Sequence, residues 1–381
     1  MNSFLANRFT YFTKLYWLFF VMAALSLTPC SLRGEDGLAR ETKSFLFIGN
    51  SFTFRHDLNQ IFTTLAAEGI PSQPIKTERL TYGGRDLFRH FELFHSQNLL
   101  CLGSLTNEQL QQSMDKMKIM SESAAEPAFY AEYWKNIDAA ALLPYEQYEA
   151  KGESTKVKSD ATQANILKRW DEDRNMINAA RKKHQEWIGK RNTYPNSWNY
   201  VSLQSWQDVH KNPDAGYIKY ATIFSALAKQ QNTTPILYVT APYSQNATPV
   251  TAPIESERAL KEVRIAFDLT KKTGALVVPV PLAVYRLQKS GFPMTLRYVN
   301  DGHPNQYCAY LTACLFYAAV FNKSPEGLML SEVTETKIVD SNKPNNDPDG
   351  NPLKRIFTDT ERTMLQRTAW ETMTAFNKGD F

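Results

Sequence analysis

Short unbroken apolar runs, spaced by stretches with helical periodicity, organise most of this chain. Ser44 to Ile48 (SFLFI) is such a run and stops at Gly49, the pattern of a strand buried on both faces of a parallel sheet. Leu58 to Ala67 then carries apolar residues at helical spacing and ends near Gly69 and Pro71, and a second candidate strand follows at Ile75 to Thr81. Further short strands are predicted at Tyr200 to Leu203, Ile236 to Thr240 and Ala275 to Val280, with helices over about 214–230, 255–273 and 305–322 between and after them. Strand, helix and strand in alternation predict an α/β fold, a three-layer α/β/α sandwich with a mostly parallel sheet.

The rhythm stops between Gly103 and about Pro195. That segment is rich in Lys, Glu, Gln and Ala, carries Trp134, Trp170 and Trp187, and has no strand pattern, so it reads as a helical insertion. Emerging after the second strand, it is placed to shape a cleft at the strand ends. The expected organisation is a leader over 1–34, an α/β domain in two parts over 35–102 and 196–323, the insertion over 103–195, and a C-terminal loop and helix over 324–381 packing on that domain. In the last segment Asn345, Asp347, Asp349 and Gly350 imitate the start of a calcium loop. Ile356 stands where the bidentate Glu would be, so an acidic turn is expected and no metal is assigned.

Arg8 and Lys14 precede the apolar run Leu15 to Leu27, the charged and hydrophobic parts of a signal peptide. The run falls short of the ~20 residues that span a bilayer, so export to the periplasm or the exterior is expected. Membrane contact would come only through that leader or a lipid on Cys30. The formal charge of +4 over 381 residues gives no electrostatic case for nucleic acid. Cys101, Cys308 and Cys314 are too few for a disulfide framework and read as small buried residues.

Two motifs carry candidate chemistry. The first strand runs into GNSFT, which sets Ser51 on a strand-to-helix turn at the carboxyl end of a strand, where open α/β sheets bind ligands and a helix N-terminus offers N–H groups to an oxyanion. The same serine could simply cap the helix. DGHP, Asp301 to Pro304, precedes the long apolar helix near the end of the fold and offers an imidazole beside a carboxylate, the general base that a serine nucleophile needs. No phosphate-binding or dinucleotide-binding glycine motif is present, and no cofactor is expected.

FIGNSFT at Phe47 to Thr53, GRDLFRH at Gly84 to His90, WNYVSLQ at Trp198 to Gln204 and the Asp/His pair together resemble the SGNH (GDSL-type) hydrolase superfamily, a flavodoxin-like fold. More narrowly they resemble a bacterial branch of exported SGNH-like proteins. The resemblance covers about residues 44–322, outside the insertion. It implies Ser51 as nucleophile, His303 as base, and an oxyanion hole of the Ser51 N–H, the Gly84 N–H (with Gly83 adjacent) and an asparagine amide. That asparagine has no clear counterpart, and the Gln204 amide is the expected substitute, with Asn50 next in line. The acid stands two residues before His303 at Asp301, where the superfamily has it three before; Asn300 occupies that position. Asp301, a neutral Asn300, or a dyad helped by a backbone carbonyl would orient the imidazole. His90 would either touch substrate or support the serine loop. The implied activity is hydrolysis of acyl esters, on a carbohydrate or another small molecule, with a lipid esterase or thioesterase, or a non-catalytic carbohydrate- or surface-binding protein, as alternatives.

Overall fold

In the computed structural model the described residues are 41–92, 95–123, 175–206, 208–211, 213–240, 256–299, 301–338 and 340–381. The leader with Cys30, Trp134, Trp170 and Asn300 lie outside them. Five strands, β1 (Lys43–Gly49), β2 (Ile75–Thr81), β3 (Tyr200–Gln204), β4 (Thr234–Val239) and β5 (Leu276–Pro279), form one sheet in the order β2-β1-β3-β4-β5. Every neighbouring pair is parallel. The helices that follow are α1 (Ser51–Phe54), α2 (Leu58–Gly69), α3 (Leu87–Glu92), α4 (His95–Leu100), α5 (Asn107–Ser123) and α6 (175–189). Then come α7 (Lys219–Gln230), α8 (Ser256–Thr273), α9 (Val280–Lys289), α10 (Gln306–Phe321) and α11 (Asp359–Lys378).

Side-chain alternation splits the strands between two cores, as a three-layer α/β/α sandwich requires. Phe45, Phe47, Ile236, Tyr238 and Val278 point to one face, against α2, α9, α10 and α11. Leu46, Ile48, Val201, Leu203 and Leu237 point to the other, against α4, α7 and α8. Phe45 stacks on Tyr200 with ring centroids 4.6 Å apart, and Phe47 meets Phe316 at 5.3 Å. Burying each such ring or large aliphatic side chain is worth roughly 1.5–3 kcal/mol. Helix α10 is buried on all sides from Gln306 to Ala318, which explains why its sequence lacks a polar face. Cys308 and Cys314 are fully buried in it, and desolvation pushes the Cys308 thiol up to about 12.

Two expected elements are redrawn. The run Ala275 to Val280 leaves the strand after Pro279 and turns helical, because Pro281 suits the first turn of a helix, where no N–H is required. The helix expected from 214 begins with a wide turn at Asp214–Ile218, broken by Gly216, and becomes regular only at Lys219. The tail adds a small antiparallel hairpin, β6 (Glu332–Thr334) with β7 (Lys354–Ile356), that short strands had not signalled. Its acidic loop closes on itself: Asp347 Oδ1 accepts from the Asp349 and Asn351 N–H groups.

Within the segment expected as an insertion, α5 and α6 are helical, and Trp187 is buried. Its ends lie side by side. A Cβ on Gly103 would overlap the Asn196 carbonyl, and Arg191 donates to Asn107 Oδ1 at 2.9 Å and to the Leu105 carbonyl.

Candidate active site

The strand order reverses between β1 and β3: the chain passes from β1 outward to β2 on one side, and from β3 to β4 on the other. In open α/β sheets the crevice at the carboxyl ends of the two strands flanking such a reversal is where ligands bind. Ser51 follows the end of β1 and Gln204 ends β3, so sheet topology alone sets both at this crevice.

Ser51 starts the four-residue turn α1, capped by Asn50, whose Oδ1 accepts the Phe52 N–H at 3.1 Å. The capping role of this turn thus belongs to Asn50, and the Ser51 hydroxyl is left for another partner. His303 Nε2 lies 2.8 Å from Ser51 Oγ, and its Nδ1 is hydrogen-bonded to Asp301 Oδ1. An ionised carboxylate can only accept, so Nδ1 carries a proton, and the neutral form of the ring presents its Nε2 lone pair to the Ser51 hydroxyl. The loop bearing the imidazole is fixed by a bridge between Arg297 and Pro304 and by the Tyr298 N–H donating to the His303 carbonyl at 3.0 Å. Ser51 is buried, whereas the His303 and Asp301 side chains retain 24% and 21% of their exposure, so the pair is partly open to solvent. Burial pushes the Asp301 carboxyl up, but the hydrogen bonds and charges of His303 and Arg55 outweigh it and hold it well below the usual carboxylate range.

Gln204 reaches across from β3 and binds the loop next to the serine. Its Oε1 accepts the Asn50 N–H at 3.0 Å and the Thr53 hydroxyl, while its Nε2 donates to Asn50 Oδ1 and to the Ser205 carbonyl. Both amide hydrogens therefore point into the protein, and the side chain expected as an oxyanion donor is placed to brace the Asn50–Thr53 turn. Asn50 Nδ2 donates to the Arg85 carbonyl at 3.0 Å, which ties the Gly83–Arg85 turn after β2 to the same knot. Gly84 has φ +64, a conformation that favours glycine, and faces open space. Neither the Ser51 nor the Gly84 N–H has an acceptor among the described residues. His90 lies behind the serine loop on α3: Nε2 donates to the Gly49 carbonyl at 2.8 Å and Nδ1 accepts from the Ser96 hydroxyl at 2.7 Å. Desolvation lowers its pKa to about 4, so it stays neutral.

Sequence reasoning missed Arg55. Two consecutive residues, His56 (φ 63) and Asp57 (φ 51), take left-handed backbone conformations that cost non-glycine residues about 1–2 kcal/mol each. The kink turns Arg55 and His56 inward between α1 and α2. Arg55 Nη1 donates to Asp301 Oδ2 at 2.6 Å, its Nε donates to Glu335 Oε2 at 2.7 Å, and its guanidinium lies 5.1 Å from the centre of the Tyr298 ring. His56 Nε2 is 3.0 Å from the Tyr298 hydroxyl, and burial lowers its pKa to about 4. The only local signal was a basic residue four positions after the serine, which by itself looks like an exposed helix residue.

Asp208, on the helical turn Asp208–Lys211 after β3, is half-buried, and desolvation together with Asp86 raises its pKa, although the Trp206 and Val209 N–H groups bind its Oδ1.

No family model and no curated protein matches this chain. Solved structures do align with it over most of its length. A DUF4886 family protein from Bacteroides uniformis ATCC 8492 aligns over 90% of this chain and 97% of its own, at TM-score 0.43 and 11% identity. A candidate SGNH hydrolase from Slackia heliotrinireducens aligns over 73% and 99%, at TM-score 0.38 and 14% identity. A variant of an acetyl-xylooligosaccharide esterase from Geobacillus Stearmophilus aligns over 75% and 95%, at TM-score 0.33 and 11% identity. These likenesses are too distant to carry chemistry over to this chain.

Proposed function

We propose that this protein is an exported serine esterase that hydrolyses small acyl esters, with Ser51 as nucleophile, His303 as general base and Asp301 as the acid that orients it. The observation that carries this reading is the continuous contact from Ser51 Oγ through His303 to Asp301, built from opposite ends of the chain at the crevice of the sheet. A structural serine has no use for an imidazole whose Nδ1 is held by a carboxylate and whose Nε2 faces its hydroxyl. His303 Nε2 takes the hydroxyl proton as Oγ attacks the ester carbonyl, and Asp301 stabilises the imidazolium that forms. The Ser51 and Gly84 N–H groups are the donors available to the oxyanion, and the Gln204 amide acts through the turn that it braces. The imidazolium then protonates the leaving alcohol. Water, activated by the same nitrogen, releases the acid from the acyl-enzyme.

Partial exposure of the imidazole suits a small or carbohydrate-borne acyl group. The apolar run Leu15 to Leu27 supports export. A binding-only protein with this fold would not need the assembled contact. Labelling with a fluorophosphonate and turnover of nitrophenyl acetate test the assignment together. The wild-type protein should label at Ser51 and turn over, and folded Ser51→Ala should do neither; a folded Ser51→Ala protein with wild-type turnover refutes it.

A further inference from the structure

We infer that Arg55 and Glu335 form a positioning pair that sets the geometry and charge of Asp301, so that the C-terminal segment arms a triad whose acid comes from a shortened loop. This inference rests on the esterase reading above. Asp301 stands only two residues before His303, which leaves its carboxylate little freedom to find Nδ1 unaided. Arg55 holds the outer oxygen, Oδ2, and thereby turns Oδ1 toward the ring. A guanidinium in this place also has a cost. With Asp301 it makes a neutral pair, and a neutral pair stabilises the developing imidazolium less than a free carboxylate does. Glu335 cancels that loss. It binds Arg55 from the far side and is fully buried, and the three groups together carry one negative charge, the same as a lone acid. Among the described residues, the other groups facing this cluster are His56, with Nε2 3.6 Å from Glu335 Oε2, and the Tyr298 ring and hydroxyl. His56 is held neutral by burial, and the Tyr298 phenol is pushed well above its ordinary range, so neither alters the count at neutral pH. The Arg55 main-chain N–H closes the α1 turn on the Ser51 carbonyl, but the Arg55 guanidinium and the Glu335 carboxylate bond to Asp301 and to each other and not to the Ser51 hydroxyl.

Removing one charge at a time should therefore move the imidazole in opposite directions. The test is an imidazole ¹⁵N NMR titration of His303, assigned with His303→Gln, alongside pH profiles of kcat/KM for nitrophenyl acetate. Glu335→Gln keeps an acceptor for Arg55 but leaves its charge uncompensated, so the His303 midpoint and the acidic limb should move down by about half a pH unit or more. Arg55→Met should move them up, and should lower kcat at least about tenfold with KM nearly unchanged, since Asp301 is no longer held. In Arg55→Met/Glu335→Gln the net charge is restored, so the midpoint should return toward wild type while kcat stays low. Single variants that leave the midpoint where it is, or move it the same way, overturn the inference. Failure of the esterase reading is seen separately, as turnover and labelling that survive Ser51→Ala, and the NMR titration reads the pair without any turnover.

Discussion

Gly49→Ala should damage this protein more than a single added methyl suggests. Gly49 ends β1 directly beneath the Gln204 side chain, and a Cβ there would lie 2.8 Å from Thr53 Oγ1, 2.9 Å from Gln204 Cβ and closer still to Gln204 Oε1. Contacts between such atoms are comfortable at about 3.5–4.0 Å, so three overlaps arise together. Gln204 is buried and its amide is held by four hydrogen bonds, so it cannot move aside freely. Overpacking of this kind costs about 1–3 kcal/mol. If the amide is displaced, the Asn50 N–H and the Thr53 hydroxyl lose a buried acceptor, at about 1 kcal/mol or more each. The sum is on the order of 4 kcal/mol, or a fall in Tm of about 6 °C for a domain of this size.

The same displacement reaches the chemistry, because the turn that Gln204 braces carries Ser51. A shift of the proposed nucleophile by an ångström can cost on the order of 100-fold in rate. Guanidinium denaturation gives the stability change, and nitrophenyl acetate turnover at saturating substrate gives the rate. The discriminating measurement is a double-mutant cycle with Gln204→Ala. Once Oε1 is gone, two of the three overlaps remain, so Gly49→Ala should cost clearly less, with a coupling of about 1 kcal/mol or more. Strictly additive costs, or a Gly49→Ala protein within about 0.5 kcal/mol of wild type and fully active, would refute the argument that Gln204 acts as the brace.

Asp301→Asn should lower kcat by about four orders of magnitude while the protein stays folded, since the amide favours the wrong tautomer of His303; activity within tenfold of wild type by steady-state kinetics would favour a backbone-assisted dyad. Gly103→Ala should be among the most destabilising alanine changes, at about 3 kcal/mol or more by denaturant titration, because its Cβ would meet main chain of Asn196, 2.7 Å from the Cα, where no side chain can yield. Acid should weaken the fold in a defined window. His56 and His90 drop from 6.5 to about 4 on folding through desolvation, so their contribution is complete above pH 6.5 and is lost as pH falls toward 4. Each is worth up to roughly 3 kcal/mol, and equal stability at pH 7 and pH 4.5 in denaturant titrations would contradict it.

What could be read from the sequence was whatever is decided locally. SFLFI before a glycine specifies a doubly buried strand wherever it sits, and a serine directly after it must lie at the strand end. DGHP likewise places its imidazole beside Asp301 within one loop. The meeting of the two could be expected only through the resemblance, because 252 residues separate Ser51 from His303. For Gln204, its position at the end of β3 was legible and its direction was not. Its amide finds Asn50 because the register sets Leu203 against Ile48, and a run of five residues does not encode the register of its neighbour. Arg55 was illegible for a stronger reason: its partner Glu335 lies 280 residues away, beyond a stretch that reads as loop. Only the kink at His56 and Asp57 brings the guanidinium inward, and neither residue type announces a positive φ.

That kink gives a physical reason to treat residues 324–381 as part of the site. Phe357, Leu365, Ala369 and Met373 complete the core on the α10 face of the sheet, so the segment is held by apolar burial whatever its charges do. Apolar burial fixes where the chain runs. It does not require a fully buried carboxylate aimed at Arg55, nor the Asp349 carboxylate that accepts the Val299 N–H at 2.9 Å beside the histidine loop. Removing a buried charge's partner costs about 3–5 kcal/mol, whereas replacing the whole cluster by apolar groups is often neutral or favourable. Stability alone thus gives no reason for Arg55, Glu335 and Asp301 to be charged together. On the esterase reading proposed above, His303 supplies that reason, because the charge beside its ring sets how readily the imidazolium forms.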